Sequence, residues 1–454
     1  MRLKRGTALL FTCLLCMTAG LLVSLNGCGG GGGGMTAVPA GPPTAADKIK
    51  HIIVIFQENR TPDNLFHGLP NADIADSGVN SLGETIPLVQ IPMVNDYDMR
   101  HDHSAFINMY DGGKMDGADK ILVTCESGAV GCPPPNPQFA YVNPDDVAPY
   151  FAMAEQYVFA DRMFQTNQGP SFPAHQYIIS GTSAPSADSN LFAAENPHGV
   201  QNADGNTGCT APAAEWVAMI DPTGSEDLTQ YPCFEHAVLM DFLDAKGISW
   251  RYYTPGSGSI WTGPNAIQHV VSSPEWATNM IFDPTHVLLD VSTGQLPGVS
   301  WVIPDGLFSD HAVTTDGSGP DWVASIVNAV GNSSYWSDTA IFITWDDWGG
   351  WYDHVAPTII DQYEYGFRVP LIVVSPYAKA GYVSHVTHDF GSILKYTEEV
   401  FGLSSLGFAD AKADDLQDCF DYSQTPLAFK SIAAKHDAKY FLQQTRKPVD
   451  PDDD

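Results

Sequence analysis

The sequence predicts an α/β protein, a doubly wound and mostly parallel sheet flanked by helices, and three observations carry that expectation. Short apolar, β-branched runs at residues 50–57, 299–303, 340–345 and 368–375 read as buried strands. Helical patterns lie among them, at residues 144–162, 320–331 and 390–401, so strands and helices alternate as crossover connections require. Where the strands stop, the sequence turns polar: Glu58, Asn59 and Arg60 follow the first run, and Asp346 and Asp347 follow the run from Ala340. Ligands of open α/β sheets sit outside the carboxyl ends of the strands, so these clusters fall where chemistry is expected.

The amino terminus has a different character. Met1-Arg-Leu-Lys-Arg5 precedes an apolar run to Leu25, the charged and hydrophobic regions of a bacterial-type export signal over residues 1–27. Leu25-Asn-Gly-Cys28 resembles a lipoprotein signal-peptidase box, with Cys28 as the acylated residue that would tether the chain to a membrane; an uncleaved anchor is the alternative. Export to the bacterial cell envelope or beyond is expected either way. Residues 28–47, opening with six glycines after Cys28, read as a flexible tether. The folded domain is expected over 48–442, with a decorated loop region at about 185–300, and a disordered acidic tail over 443–454.

With 454 residues, 44% apolar and 16% charged, the chain can bury one large core or two ordinary ones. Its net charge is −32, and loss of residues 1–27, which hold three basic residues and no acidic one, would bring it to −35. That excess argues against nucleic acid and strongly anionic surfaces as partners. Cys125 with Cys132, and Cys209 with Cys233, are spaced to bridge polar loops in an oxidising compartment, which leaves Cys419 over.

Along the chain, His101, Asp102 and His103 form a cluster too polar for core filling. Ser171 is placed as the N-cap of a helix, with Pro173 in the first turn and Gly181 as the stop, so its hydroxyl would lie at the positive helix end. His269 falls on a short helix, and His311 follows the strand at 299–303. Asp346 and Asp347 would point to opposite faces of an extended strand, so they converge on one ion only where the backbone turns, as Gly349 and Gly350 allow.

These motifs have a family likeness. Ile52-Ile-Val-Ile-Phe-Gln-Glu-Asn-Arg60, Gly169-Pro-Ser-Phe-Pro173, Ser309-Asp-His311, Thr344-Trp-Asp-Asp-Trp-Gly-Gly350 with Asp353-His-Val355, and Gly366-Phe-Arg-Val-Pro370 resemble, in order, the bacterial phosphatidylcholine-hydrolysing phospholipase C and acid phosphatase family. That resemblance implies an alkaline-phosphatase-like fold and hydrolysis of phosphate esters or phospholipids. It also implies a metal held by Glu58, Asn59, Ser171, Asp346 and Asp347, with Ser171 as nucleophile and His103, His269 and His311 assisting; a role for His354 carries less weight. An oxygen-only donor set suits Mg, Ca, Mn or Fe better than Zn. Serine at position 171 is similar to the acid-phosphatase members, which keeps a broad acid phosphatase open beside the phospholipase C. A non-catalytic surface binding lipoprotein is a further alternative, and a sulfatase-like esterase lacks its usual setting around Ser171.

Overall fold

The computed structural model describes residues 42–198 and 206–444. An eight-stranded sheet forms its centre, from β1 (His51–Gln57), β2 (Val158–Ala160), β3 (Trp250–Tyr253), β4 (Met280–Ile281), β5 (Val299–Val302), β6 (Thr339–Trp345), β7 (Leu371–Val374) and β8 (Tyr382–Ser384). In space the order is β4-β3-β5-β1-β6-β7-β2-β8. Every adjacent pair is parallel except the two made by β7 with β6 and β2. All of β6 and all but the first residue of β1 are buried, which is why both sequences are apolar without alternation.

Five helices matter for the site: α1 (His103–Tyr110), α2 (Ala148–Gln156), α3 (Ser171–Ser180), α4 (Gly319–Gly331) and α5 (Phe390–Phe401). Phe56 meets His175 of α3 and Phe390 of α5 edge-on, at 4.7 and 5.2 Å between ring centroids. Trp345 meets Tyr150 of α2 at 5.1 Å. Phe56 pairs with Thr344, so Phe56 and Trp345 project from opposite faces, and helices cover the sheet on both sides. The doubly wound, mostly parallel architecture expected from the sequence is therefore what the chain forms.

Three local expectations change. The helical pattern at 144–162 divides into α2 and, after Tyr157, strand β2, which sits inside the sheet between β7 and β8. The region 185–300 is more than decoration, since it supplies β3, β4 and the start of β5. Within the expected tether, Ala45–Lys48 makes a helical turn with Ala45 buried. The export signal, Cys28, the rest of the glycine-rich tether to residue 41 and the tail beyond 444 lie outside the described residues. Among the described residues no helix is long and apolar enough to cross a membrane.

Both expected disulfides are present, Cys125–Cys132 and Cys209–Cys233, and Cys419 is a buried free thiol. The second bridge closes a separation of 24 residues. Chain-entropy arguments give such a loop about 3 kcal/mol. The double variant Cys209→Ala/Cys233→Ala is expected to lose stability of that order in denaturant titration, and reduction of the wild-type protein, which opens both bridges, should cost at least as much.

Candidate active site

The register of the two central strands builds the site. Gln57 pairs with Trp345 in parallel, so Glu58 and Asn59 leave β1 beside Asp346 and Asp347 leaving β6. Backbone bonds lock the two exits, with Asp346 N donating to Gln57 O at 2.9 Å and Arg60 N donating to Asp347 O at 2.9 Å. Asn59 adopts φ 64°, a left-handed conformation that asparagine tolerates better than most residues, and its N–H donates to Asp346 Oδ1 at 2.9 Å. Gly349, at φ 60°, passes directly against it, and its N–H donates to Asp347 Oδ1 at 2.7 Å.

A Cβ on Gly349 would stand 2.4 Å from the Asn59 carbonyl oxygen and 2.6 Å from its Cβ. Gly349→Ala is therefore expected to displace Asn59 and lower kcat/KM by about 10²-fold, the usual cost of an ångström-scale misplacement. Steady-state kinetics alongside circular dichroism would check it.

Ser171 comes from the other side. It is the first residue of α3, and Pro170 is the N-cap. The sequence placed Ser171 itself at the cap; instead Asn196 Oδ1 accepts from Phe172 N at 2.9 Å, and the serine hydroxyl is released from capping. It donates to Asp346 Oδ2 at 2.5 Å and lies 3.5 Å from Asp347 Oδ2. Ser171, Glu58, Asp346 and Asp347 are fully buried, and Asn59 is 1% exposed. Five of the expected residues thus lie at one edge of the sheet, two carboxylates sharing the serine hydroxyl.

The histidines divide. His311 is buried, its Nδ1 donating to Ala312 O at 2.7 Å, with its ring 6.2 Å from that of His101. His101 in turn donates from Nδ1 to Met99 O at 2.8 Å, accepts from Asn59 Nδ2 at 3.1 Å and lies 3.9 Å from Asp347 Oδ2. His103, at the start of α1, has Nδ1 2.5 Å from Glu226 Oε1 and Nε2 3.2 Å from Gln168 Oε1. Gln168 stands three residues before Ser171, which brings His103 to the approach of α3. Glu195 accepts from His103 N at 3.2 Å, and burial followed by the charges of Asp102 and Glu226 holds its carboxyl well above the usual range. A small cavity lined by Arg100, Asp102, Pro170, Glu195, Asn196 and His198 adjoins the start of α3.

His269 is held by carboxylates outside the hydrogen bonds of this group of residues. Its ring lies 2.7 Å from Glu235 Oε1 through Nδ1 and 3.0 Å from Asp241 Oδ1 through Nε2, so both nitrogens are engaged by carboxylates in a partly exposed ion-paired cluster. His354 belongs to another network: Asp63 and Asp73 hold its two nitrogens at 2.8 and 3.1 Å, and buried Arg368 grips Asp353 through Nε and Nη2 at 2.9 and 3.0 Å. Burial alone would lower the His354 pKa, but the hydrogen bond and charge of Asp63, with Asp353 behind them, raise it to about 9.

The His354 contribution to stability is complete below pH about 6.5, where the unfolded imidazole is protonated too, and disappears as pH rises through about 9. His354→Asn should therefore melt well below wild type at pH 6, by a margin worth up to about 3 kcal/mol. The two melting temperatures should converge at pH 10.

Sequence reasoning missed His175. It sits four residues after Ser171 on α3, hence on the same face, with Nε2 3.3 Å from Glu58 Oε1 and no exposure. Glu58, His175 and Asp346 each offer a donor atom within 4.8 Å of the others, a candidate metal cluster. Asn59 Oδ1 is buried without a hydrogen-bond partner, as a carbonyl awaiting a cation would be. These residues fit a divalent ion, and the donor set holds an imidazole as well as oxygens. The i, i+4 spacing to Ser171 was the available signal. For Glu195 and Glu226 there was none, because both lie on long irregular segments.

Fold and site together define a hydrolase of the phosphoesterase type on an α/β frame, acting on ester bonds, with a candidate divalent-metal centre. The profile of the Phosphoesterase family matches residues 49–404, and the chain belongs to that family. It is 24% identical over 445 residues to the haemolytic phospholipase C of Pseudomonas aeruginosa, covering 82% of this chain and 56% of that protein. Phospholipase C B of Mycobacterium tuberculosis is 25% identical over 459 residues, 86% of this chain and 81% of its own. The chain thus spans little more than half the length of the haemolytic relative. The crystal structure of a protein in the alkaline phosphatase superfamily from Vibrio parahaemolyticus overlays with TM-score 0.36 at 11% identity, over 83% of this chain and 74% of that one, a likeness too slight to argue from.

Proposed function

We propose that the protein is an alkaline-phosphatase-like, metal-dependent phosphoric ester hydrolase in which Ser171 is the nucleophile. The observation that carries this reading is the Ser171 hydroxyl on Asp346 Oδ2 at 2.5 Å, at the start of a buried helix and beside Glu58, Asn59 and Asp347. Glu58, Asn59, Ser171, Asp346 and Asp347 would hold the ion, with His175 against Glu58. Bound there, a divalent cation lowers the pKa of a neighbouring hydroxyl and offsets phosphate charge. Ser171 Oγ attacks phosphorus in line, its proton passing along the existing hydrogen bond to Asp346, and the P–O bond to the leaving alkoxide breaks. The amino end of α3 favours the negative charge of the phosphoryl oxygens. The imidazolium of His103 or His311 gives a proton to the alkoxide, assistance typically worth about 10²–10⁴-fold. Water then attacks the phosphoserine and gives a proton back to that imidazole, while the proton held by Asp346 returns to Ser171.

The substrate reading is a phospholipase C-like activity on phosphodiesters of lipid head groups, supported by the names of the relatives. A broad acid phosphatase acting on phosphomonoesters is the second reading, favoured by serine rather than threonine at position 171. Diglyceride release from phosphatidylcholine, measured beside turnover of p-nitrophenyl phosphate, separates the two: activity on the monoester alone removes the phospholipase reading. Fractionation of cells making the full chain, with and without Cys28→Ser, tests the proposed lipid tether.

A further inference from the structure

We propose a second metal site, a zinc-type centre made by His388, Asp418 and Cys419 with Ser384 beside it, sharing no residue with the Ser171 centre. His388 Nε2 lies 3.4 Å from Asp418 Oδ1, and Cys419 Sγ lies 3.6 Å from the same oxygen. Nitrogen, oxygen and sulfur fall within 4.8 Å of one another. Around a tetrahedral zinc, with bonds near 2.0 Å to N and O and near 2.3 Å to S, the N···O edge is about 3.3 Å and the O···S edge about 3.5 Å. The two observed edges, 3.4 and 3.6 Å, are each slightly longer.

The surroundings orient the three donors. Asp414 Oδ1 lies 3.0 Å from His388 Nδ1, on the side of the ring away from Asp418, close enough for a small rotation to make the carboxylate–imidazole pair that supports a ligand histidine. Ser384 donates its hydroxyl to Asp418 Oδ2, which leaves Oδ1 turned to His388 and Cys419, and Ser384 Oγ lies 3.3 Å from His388 Nε2 as a ready fourth donor. His388 and Cys419 are fully buried, while the Asp418 and Asp414 side chains are 22% and 34% exposed, so an ion has a way in. The two disulfides consume the other cysteines of the described domain and leave Cys419 as a thiol.

Sulfur and imidazole select zinc over the hard cations suited to a carboxylate-rich centre. On binding, the S–H bond of Cys419 breaks, its proton leaves to solvent, and the S–Zn bond forms. Thiolate and Asp418 then neutralise the dication. The competing arrangement is a buried imidazolium paired to Asp414 and Asp418 with no metal.

Cobalt(II) titration of the metal-stripped full chain distinguishes them. The expected result is a sulfur-to-cobalt charge-transfer band whose final intensity corresponds to one thiolate-bound cobalt per chain, displaced by zinc, kept in Glu58→Gln and lost in Cys419→Ser and His388→Gln. Retention in Glu58→Gln separates this site from the proposed catalytic one, whichever way that reading falls. No band in wild type, or a band that survives Cys419→Ser, overturns the proposal. Should Cys419→Ser fail to fold, zinc-edge X-ray absorption of the wild-type protein decides: one sulfur at about 2.3 Å supports the site, and a shell of only nitrogen and oxygen overturns it.

Discussion

Ser171→Ala is expected to lower kcat/KM by about 10⁴-fold on any phosphate ester the protein turns over, a loss of about 5 kcal/mol in transition-state stabilisation. The change removes one oxygen atom from a buried position and leaves α3 intact, because the amide of Phe172 is capped by Asn196 rather than by the serine. Melting temperature should therefore stay within a few degrees of wild type. It should also rule out partial unfolding as the cause, since every residue of α3 is buried and loosening of that helix would register at once. Undiminished turnover by this variant on both monoester and phospholipid would end the nucleophile assignment.

The second large effect is expected at Asp346, where activity and stability should move in opposite directions. Asp346 accepts from Asn59 N and from Ser171 Oγ and stands among Glu58 and Asp347, so three carboxylates are buried together. In metal-free protein such a cluster is costly, and removing one charge relieves it. Asp346→Asn should lose at least about 10³-fold in kcat, bind less metal by elemental analysis, and melt higher than wild type once both are stripped with chelator. Wild type should lose activity on chelation and regain it with a divalent ion. A variant that retains full metal content and rate would show that the ion, if bound, sits elsewhere.

Much of the scaffold was legible because its central strands are buried on both faces and write themselves as continuous apolar runs; β1 and β6 are the clearest cases. β2 was not, since Val158–Ala160 continues the apolar face of the preceding helix and a run of three residues carries no period of its own. Nor was β4, which has only two residues. Within the site, Glu58, Asn59, Asp346 and Asp347 could be read because a polar cluster directly after a buried strand has few other uses. His175 could have been read from its spacing to Ser171. The neighbours of His269, Glu235 and Asp241, could not be read at all, because they are set by the packing of the segment around the helix Leu239–Lys246 and not by spacing along the chain.

Strand β7 runs against β6, and this one reversal has a lasting effect on how the molecule can change. The chain leaves β6 at Trp345 and re-enters the sheet at Leu371 on the same rim, without crossing to the far end. The intervening residues, with Trp348 and Trp351 buried in a second apolar cluster and Arg368 pinned to Asp353, therefore stay on the rim that carries Asp346 and Asp347. Insertions at the exposed part of that segment, around Ile360, would leave every strand with its neighbours, so the rim can be elaborated there without rebuilding the frame.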